Sequence, residues 1–417
     1  MENPDYSYYL RTLLVSVVVA FTAVAGLNLF VDPWGLFGTP RVPGVTARKP
    51  EAGDYVRLSK PYQVMRAAPD FLILGNSRAE LGLNPKALCV GKVGGAAFVL
   101  AVPGSSVYLQ YRLTQHAVAS KKPDLVLIAL DAINFFTSRD PAAATDTKIV
   151  RLEWEGRLSV NSDGHPNRFR WITVLKDYAD GLFSLAATVD SFRTLAKQDA
   201  RGEQNRTETG FHDATAYYEH IVRMEGQEVL FRQRMNELNK RYANAKWRLQ
   251  RRDGLPPNAW NSLENLIELS RREDFELVLI INPLHARHLE LLHSKGLWPL
   301  VVEWRQELVE IIAERVTDIR LIDFTGYDVF STEELPHELE THSMLNWFWE
   351  PSHYRQELGN LILSRALPER CAGSVAGDVK YGVEISIDNI EGQNQRIRAE
   401  RQVYLATQKS TRPNPRR

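Results

Sequence analysis

A serine near the start of this chain and a histidine near its end have the settings needed for nucleophilic chemistry. Ser77 follows the apolar run Phe71–Leu74, and His353 comes three residues after Glu350. A serine hydroxyl is a poor nucleophile until a base takes its proton, and histidine has the near-neutral pKa of such a base. A carboxylate can hold the other ring nitrogen. Because Ser-His-acid triads are recognised by geometry, the order Ser77, Glu350, His353 is allowed.

Both residues also have a purely structural interpretation. Gly75-Asn76-Ser77 is a common turn sequence, although Gly75 would also permit a close approach of the backbone. His353 follows the aromatic segment Trp347-Phe348-Trp349, where a histidine packed at an interface is expected. Spacing alone therefore does not decide between a catalytic and a structural role.

Short apolar runs predict the strands that would position these residues. Their continuous hydrophobicity is typical of strands buried on both faces, as in a parallel α/β sheet. Helix-like segments between them predict crossover connections, and reactive groups collect at the carboxyl ends of such strands, where Ser77 would lie. The predicted strands are Phe71–Leu74, Ala97–Val102, Leu125–Leu130, Leu277–Ile281 and Ile319–Ile322, and the clearest helices are Tyr108–Ala119, Ala259–Arg272 and Val301–Arg315.

Three short blocks resemble the SGNH/GDSL hydrolase superfamily. Gly75-Asn76-Ser77-Arg78 resembles the block of the nucleophilic serine, and Ala101-Val102-Pro103-Gly104-Ser105 the block whose glycine offers an N–H to the oxyanion. Glu350-Pro351-Ser352-His353 resembles the final Asp-x-x-His block. The resemblance implies a three-layer, doubly wound α/β domain over residues 67–370. It also implies that Ser77 is the nucleophile, His353 the base and Glu350 the group that orients it.

Two positions depart from the family's pattern. Glu350 stands where the family has aspartate and can play the same role with a longer arm. Asp131 lies at or near the position of an asparagine that donates to the oxyanion. An ionised carboxylate there would repel the developing charge, and losing one such donor costs ~3–4 kcal/mol. Three alternatives stay open: Asn134 reaches in, Asp131 is protonated, or the site does not perform this chemistry.

Two polar residues follow the fourth predicted strand. Asn282 and His285 would lie at the same sheet edge, where either could donate to a substrate or an oxyanion, although His285 also fits a surface loop. His285, His288 and His293 lack the spacing and acidic or thiolate partners of a metal site. No phosphate-binding or dinucleotide fingerprint is present. No metal or cofactor is therefore predicted.

The first thirty residues contain an uncharged apolar stretch. Leu13–Val31 would rise about 28 Å as a helix, close to the ~30 Å hydrocarbon core of a bilayer. The alternative is a cleavable signal, since Ala23-Val24-Ala25 has the form of a cleavage site. Glu2 and Asp5 before the stretch, and apolar residues continuing to Val31, favour an uncleaved anchor. Either interpretation places the rest of a bacterial chain outside the cytoplasm.

Residues 140–257 interrupt the strand–helix alternation and predict a helical insertion. Its last part has a basic face, which is either solvated or a surface for anionic lipid headgroups or an anionic glycan. This face consists of Arg232, Arg234, Lys240, Arg241, Lys246, Arg248, Arg251 and Arg252. Nucleic acid is not expected beyond a membrane span. The apolar face of that helix would consist of Met235, Leu238, Tyr242, Ala245 and Leu249.

The sequence thus predicts an anchored α/β domain with two flanking segments. Lys and Arg equal Asp and Glu at 51 each, so net charge indicates no partner, and Cys89 and Cys371 are too few for a disulfide framework, although one bridge stays open. The predicted segments are a flank 1–12, a transmembrane anchor 13–31, a juxtamembrane linker 32–66, the SGNH-like domain 67–370 and a polar C-terminal extension 371–417.

The resemblance implies an esterase or an O-acyl(acetyl)transferase. The anchor is similar to those of membrane-tethered proteins of polysaccharide O-acetylation, such as the alginate acetylation proteins. That similarity implies a single-pass protein of the bacterial inner membrane with a periplasmic domain, a cell-envelope polysaccharide as substrate and a membrane protein as acyl donor. The alternative, favoured by Asp131 and the basic insertion, is a non-catalytic SGNH-like binding or scaffold protein.

Overall fold

The computed structural model describes most of the chain as an α/β protein with a mostly parallel central sheet. Cys89, Cys371 and Ala245 lie outside the described residues, and with them the question of a disulfide. The described ranges are 4–86, 95–138, 154–198, 202–243, 246–254, 258–315, 319–336, 343–370 and 380–411.

The described strands form one large sheet and three small two-stranded pairs. The strands are β1 Phe71–Leu74, β2 Ala97–Val99, β3 Leu125–Leu130, β4 Phe136–Thr137, β5 Asn205–Arg206, β6 His212–Asp213, β7 Arg248–Leu249, β8 Glu276–Ile281, β9 Arg320–Asp323, β10 Phe348–Glu350, β11 His353–Tyr354 and β12 Val383–Glu384. The large sheet has the order β12-β9-β8-β3-β1-β2. Its neighbouring strands are parallel except β12, which is antiparallel to β9.

Helices occupy most of the remaining described residues. Two short 3₁₀ helices, Pro50–Tyr55 and Ala132–Phe135, accompany them. The α-helices are α1 Pro4–Val31, α2 Val56–Ala67, α3 Ser77–Gly82, α4 Val107–Ser120, α5 Arg170–Phe183, α6 Leu185–Ala196, α7 Thr215–Glu225, α8 Gln227–Ala243, α9 Ala259–Glu273, α10 Ala286–Ser294, α11 Trp298–Arg315, α12 Gln356–Ala366 and α13 Ile390–Thr411.

The central strands are apolar throughout because both faces of the sheet are buried. Along β1, Leu72 and Leu74 join one core, which includes side chains of α4, α9 and α11. Phe71 and Ile73 join the other core, which includes side chains of α12. Alternate residues of a strand point to opposite faces, so a strand covered on both sides needs apolar residues at every position. The prediction of a parallel α/β sheet is confirmed.

The direction of winding in the large sheet reverses at β1. From β1 the chain goes to β2 on one side and then to β3 on the other. In doubly wound sheets the point at which the winding reverses leaves a crevice outside the carboxyl ends of the two strands, and ligands bind there. The loops after β1 and β3 carry Ser77 and Asp131 to this edge.

Several predicted bounds differ from the structure. Residues 32–66 do not form an open linker, because they contain α2, which packs on α4. The predicted strand Ala97–Val102 ends at Val99. Part of the C-terminal extension belongs to the sheet, since β12 pairs with β9, and Ile390 and Ile397 are buried in the core. Sequence patterns did not indicate these long-range contacts.

The predicted basic helix is also shorter than expected. Its α-helix α8 ends at Ala243, and Leu249 lies instead in β7, paired with Phe136 of β4. Leu238 and Tyr242 are buried as predicted, and Met235 packs against the core. Residues 140–257, predicted as a helical insertion, also contribute the strands β5, β6 and β7, each two residues long.

The N-terminal helix stands apart from the rest in its exposure. Over Tyr6–Val31, α1 is long and apolar enough to cross a membrane: it contains an 18-residue window with a mean hydropathy of 2.3, of which 11% is buried. Its last turns pack against α5 and α6. The prediction of an N-terminal apolar helix with the length of a span is confirmed.

Candidate active site

A glycine turn carries Ser77 from β1 into α3. Gly75 has φ of +152°, and a Cβ atom there would lie 2.7 Å from Cβ of Ala79 and 3.1 Å from Cβ of Ala129. Only glycine fits this close approach between α3 and β3. Asn76 then caps α3 by accepting a hydrogen bond from the Arg78 N–H. Ser77 is therefore the first residue of α3, at the carboxyl edge of the sheet.

A hairpin presents Glu350 and His353 together. The two residues are partners in the antiparallel pair β10–β11, and the Ser352 N–H donates to Glu350 Oε2 at 2.9 Å. Strand β11 packs directly against α3. The hairpin therefore brings the imidazole and the carboxylate to the beginning of the helix that carries Ser77.

The three side chains form one line of hydrogen bonds. Nε2 of His353 lies 2.7 Å from Oγ of Ser77, and its Nδ1 is hydrogen-bonded to Oε1 of Glu350. An ionised carboxylate can only accept, so Nδ1 carries the proton. In the neutral imidazole Nε2 is then an acceptor, and the Ser77 hydroxyl donates to it. This is the arrangement in which a histidine can remove the serine proton.

The Glu350 end of this line of hydrogen bonds is buried, and the Ser77 end is partly exposed to solvent. Glu350 and His353 are 5% and 8% exposed, whereas Ser77 is half-buried. Burial by itself would raise the pKa of Glu350. The adjacent His353, the Arg234 guanidinium and the Ser352 N–H outweigh it and lower that pKa to about 2. Glu350 is therefore ionised at neutral pH and can stabilise a protonated His353.

The loop that carries Gly104 is tied to the turn before Ser77. The Gly75 carbonyl accepts from the Val102 N–H at 3.0 Å and from the Ser105 hydroxyl at 2.8 Å. Gly104 is exposed and has φ of +66°, a left-handed conformation that favours glycine. The structure thus brings the predicted oxyanion loop beside the serine turn.

Asp131 is an ion-pair partner and does not stand alone. Its Oδ1 lies 2.8 Å from Nη1 of Arg78, and its Oδ2 accepts from the side-chain amides of Asn76 and Asn282, the latter at 3.1 Å. The carboxylate is paired with Arg78, next to Ser77 in the sequence, a partner that the sequence did not indicate. The Asn134 amide donates to the Ser105 carbonyl at 3.2 Å.

Asn282 and His285 reach the expected edge but are engaged by protein groups. The Asn282 amide donates to Asp131 and its oxygen accepts from the Tyr354 hydroxyl at 3.0 Å. His285 accepts from the Arg287 N–H and contacts the Glu333 carbonyl at 3.0 Å. Burial lowers the pKa of His285 to about 4. Both side chains therefore hold loops in place, and donation to a substrate by either stays a prediction.

A polar chain behind the hairpin was not found from the sequence. Arg234 donates through Nε to the Ser352 hydroxyl at 3.2 Å and lies 3.6 Å from Glu350 Oε2. The Ser352 hydroxyl contacts Nδ1 of His288 at 3.2 Å, and the Tyr242 hydroxyl contacts the other ring nitrogen at the same distance. Arg234 belonged to the predicted basic face, but nothing in its local pattern distinguished it from its basic neighbours.

Within the described ranges, no group of three or more His, Cys, Asp or Glu side chains is arranged to hold a metal ion. No protein-family model matches the sequence, and the search of curated proteins finds no match.

Proposed function

We propose that this chain is a membrane-anchored SGNH-like serine esterase or O-acyltransferase that acts on a cell-envelope polysaccharide. One observation carries the proposal: the line of hydrogen bonds from Glu350 through His353 to the half-buried Ser77. An accessible hydroxyl on a neutral imidazole, backed by a buried carboxylate, is an activated nucleophile.

The positions of the loops support the SGNH part of the proposal. Ser77 follows β1, Gly104 follows β2, and Asp131 follows β3, with β1 between the other two strands. His353 comes last in the chain, before α12. The acetyl group and the glycan substrate in this proposal are inferred from the resemblance of the anchored chain to polysaccharide O-acetylation proteins. An anionic glycan would suit the basic residues of α8.

In the first step Ser77 Oγ attacks the acyl carbonyl while its proton passes to Nε2 of His353. The backbone N–H groups of Ser77 and Gly104 would stabilise the oxyanion. Ser77 is the first residue of α3, and the first N–H groups of a helix have no partner within it. The tetrahedral intermediate collapses, and the leaving alcohol oxygen takes the proton from His353. An acyl group then remains on Ser77 Oγ.

In the second step water or a sugar hydroxyl attacks the acyl-serine, and His353 takes its proton. The acyl group leaves Ser77, whose oxygen regains a proton from His353. Water as the acceptor gives an esterase, and a glycan hydroxyl gives a transferase. A transferase would receive its acyl group from a membrane protein, on the periplasmic side of a bacterial inner membrane that α1 would span.

A non-catalytic binding or scaffold protein is the second candidate, because Asp131 stands where the family has an oxyanion donor. The ion pair with Arg78 weakens this candidate. A neutralised carboxylate opposes an oxyanion much less than a bare one.

Labelling with a fluorophosphonate serine probe tests the proposal. The full-length chain in detergent should be labelled, and mass spectrometry should find the label on Ser77. Ser77→Ala and His353→Ala should both lose it, whereas Ser162→Ala, which changes an exposed turn serine, should keep it. A folded wild-type chain without label would support the binding protein. Release of acetate from an acetylated glycan, compared with acetyl transfer to an unmodified one, would then distinguish the two enzymes.

A further inference from the structure

The hairpin α5–α6 has its apolar side chains on the outside. The exposed fraction reaches 64% at Leu175 in α5 and 78% at Leu185 in α6. Spacings of three and four residues place these side chains on one face of each helix. The exposed apolar residues include Trp171, Ile172, Leu175, Phe183, Leu185 and Phe192.

The fully buried residues on the inward faces of the same two helices are mostly polar, although Ala187 joins a small apolar cluster. Asp177 accepts from the Tyr62 hydroxyl at 2.6 Å and pairs with Arg157 at 2.7 Å. Asp190 accepts from the Trp34 indole N–H at 2.9 Å. This is the reverse of a helix on a water-facing surface, whose apolar side turns to the core. An apolar patch of this extent marks a contact with something other than water.

The outward face continues into the N-terminal helix. Asn28 of α1 donates to the Leu182 carbonyl at 2.9 Å, and the rings of Phe21 and Phe183 are 6.0 Å apart. Phe21 precedes Val31, the end of α1, by about 15 Å along the helix axis. The hairpin therefore lies beside the second half of a helix that is itself apolar and exposed.

We propose that α5 and α6 lie in the bilayer leaflet that contains the C-terminal half of α1, with their outward faces against the acyl chains. The inference rests on the membrane span of α1 proposed above. Lipid is the occupant because the patch is continuous with α1. The charged Lys176, Asp180 and Arg193 border the apolar faces, where they would lie at the depth of the headgroups.

Such a hairpin would fix the orientation of the whole domain. A single span followed by an open linker would let the domain rotate and tilt, whereas a second attachment restricts both motions. The segment directly after α1 is also held in a fixed conformation, which supports a restricted orientation of the domain. Asp32 accepts hydrogen bonds from the N–H groups of Leu36 and Gly38 there. The opening at Ser77 would then keep a constant direction relative to the membrane surface.

Spin-label accessibility in a bilayer tests the inference. The full-length chain, with Cys89 and Cys371 replaced by serine, receives one cysteine for the nitroxide at a time. Leu175→Cys and Phe192→Cys report the hairpin, and Val18→Cys, at an exposed position of α1, reports the span. Met224→Cys is the matched control, because Met224 is a 72% exposed apolar residue on α7. The proteins are reconstituted in vesicles of phosphatidylethanolamine with phosphatidylglycerol.

Labels at Leu175, Phe192 and Val18 should collide more with oxygen than with a water-soluble nickel complex, and the label at Met224 should do the opposite. If Val18 is in lipid but Leu175 and Phe192 behave like Met224, the hairpin inference is wrong and the span remains. If all four labels are in water, the span fails as well. Low access to both reagents at Leu175 and Phe192 would mean that protein covers the patch, which also overturns the inference.

Discussion

Helix α3 takes part in two buried charged clusters that differ in one respect. At its beginning, Ser77 is joined to His353 and Glu350, and the serine end is open to solvent. In its middle, Glu80 is completely buried between Lys60, 2.8 Å away, and Arg206, 3.2 Å away. The first cluster ends in a partly exposed serine, whereas the second is almost completely buried.

This difference separates a reactive cluster from a structural one. Burial disfavours the charged forms of Lys60 and Glu80 and lowers the pKa of Lys60. Glu80, however, faces two cations, whose field outweighs its own burial and lowers its pKa to about 2. Both cations pair with Glu80, and none of the three side chains is more than 10% exposed, so the cluster can stabilise the fold but presents no group to a substrate. The open cluster can exchange a proton.

The largest expected effect is the loss of activity in Ser77→Ala. Removing the nucleophile should slow hydrolysis of a small acetyl ester by about 10⁴-fold or more, because only background catalysis remains. The free energy of unfolding should change by less than ~1 kcal/mol, since Ser77 is half-buried at a helix start. Steady-state kinetics and urea denaturation measure the two quantities. Full activity in the variant would show that Ser77 is not the nucleophile.

The second effect is on the tautomer of His353. In Glu350→Gln the amide can donate to Nδ1, which favours the imidazole with its proton on Nε2, unable to accept from Ser77. We expect kcat to fall by roughly 10²–10⁴-fold. Glu350→Asp keeps the charge and should retain most of the activity. Equal losses in both variants would mean that the carboxylate acts through packing and not through hydrogen bonding.

The third effect should appear in stability and not in chemistry. Glu80→Ala leaves Lys60 and Arg206 as buried cations without a counter-charge, which should cost ~3–5 kcal/mol of unfolding free energy. The matched control is Glu208→Ala, which breaks an exposed pair with Lys86 at the same 2.8 Å and should cost ~0–1 kcal/mol. Similar costs in the two variants would contradict the closed-cluster interpretation.

The same carboxylate predicts an acid limit of stability. Because the pKa of Glu80 is about 2 in the folded chain and near its ordinary 4.5 when unfolded, the unfolded state binds more protons between these values. Its stabilisation is complete above about pH 4.5 and is lost as the pH falls toward about 2. Urea denaturation between about pH 5 and 3 should show a smaller slope with pH for Glu80→Gln than for the wild type. An unchanged slope would exclude Glu80 as a source of the acid sensitivity.

The smallest effect concerns Arg234 as a positioning residue. Arg234→Met removes one of the groups that lower the pKa of Glu350, and activity should fall by about fivefold, or ~1 kcal/mol. Because the pKa of Glu350 should rise without Arg234, the acid limb of the kcat/KM profile should also move to higher pH. A change in packing alone would not cause that movement. Arg223→Met, on an exposed pair with Glu219, serves as the control and should leave the profile unchanged.

Much of the sheet could be predicted from local patterns. The bounds of β1 and β3 agree with the apolar runs Phe71–Leu74 and Leu125–Leu130, because every side chain of a strand covered on both faces must be apolar. The helices between strands were predicted within a few residues for the same local reason. The strand β12 was missed, since a two-residue edge strand carries no periodicity of its own.

The sequence by itself determined which residue types stand at the ends of the strands, and it determined the apolar helix α1. Only the tertiary structure decided their partners: His353 lies against Ser77, Arg78 neutralises Asp131, and the apolar faces of α5 and α6 turn outward beside α1. The physical reason is the distance along the chain over which each effect acts. Burial and periodicity act between neighbours in the chain, whereas the partner of a charge or a hydroxyl depends on where distant segments cross.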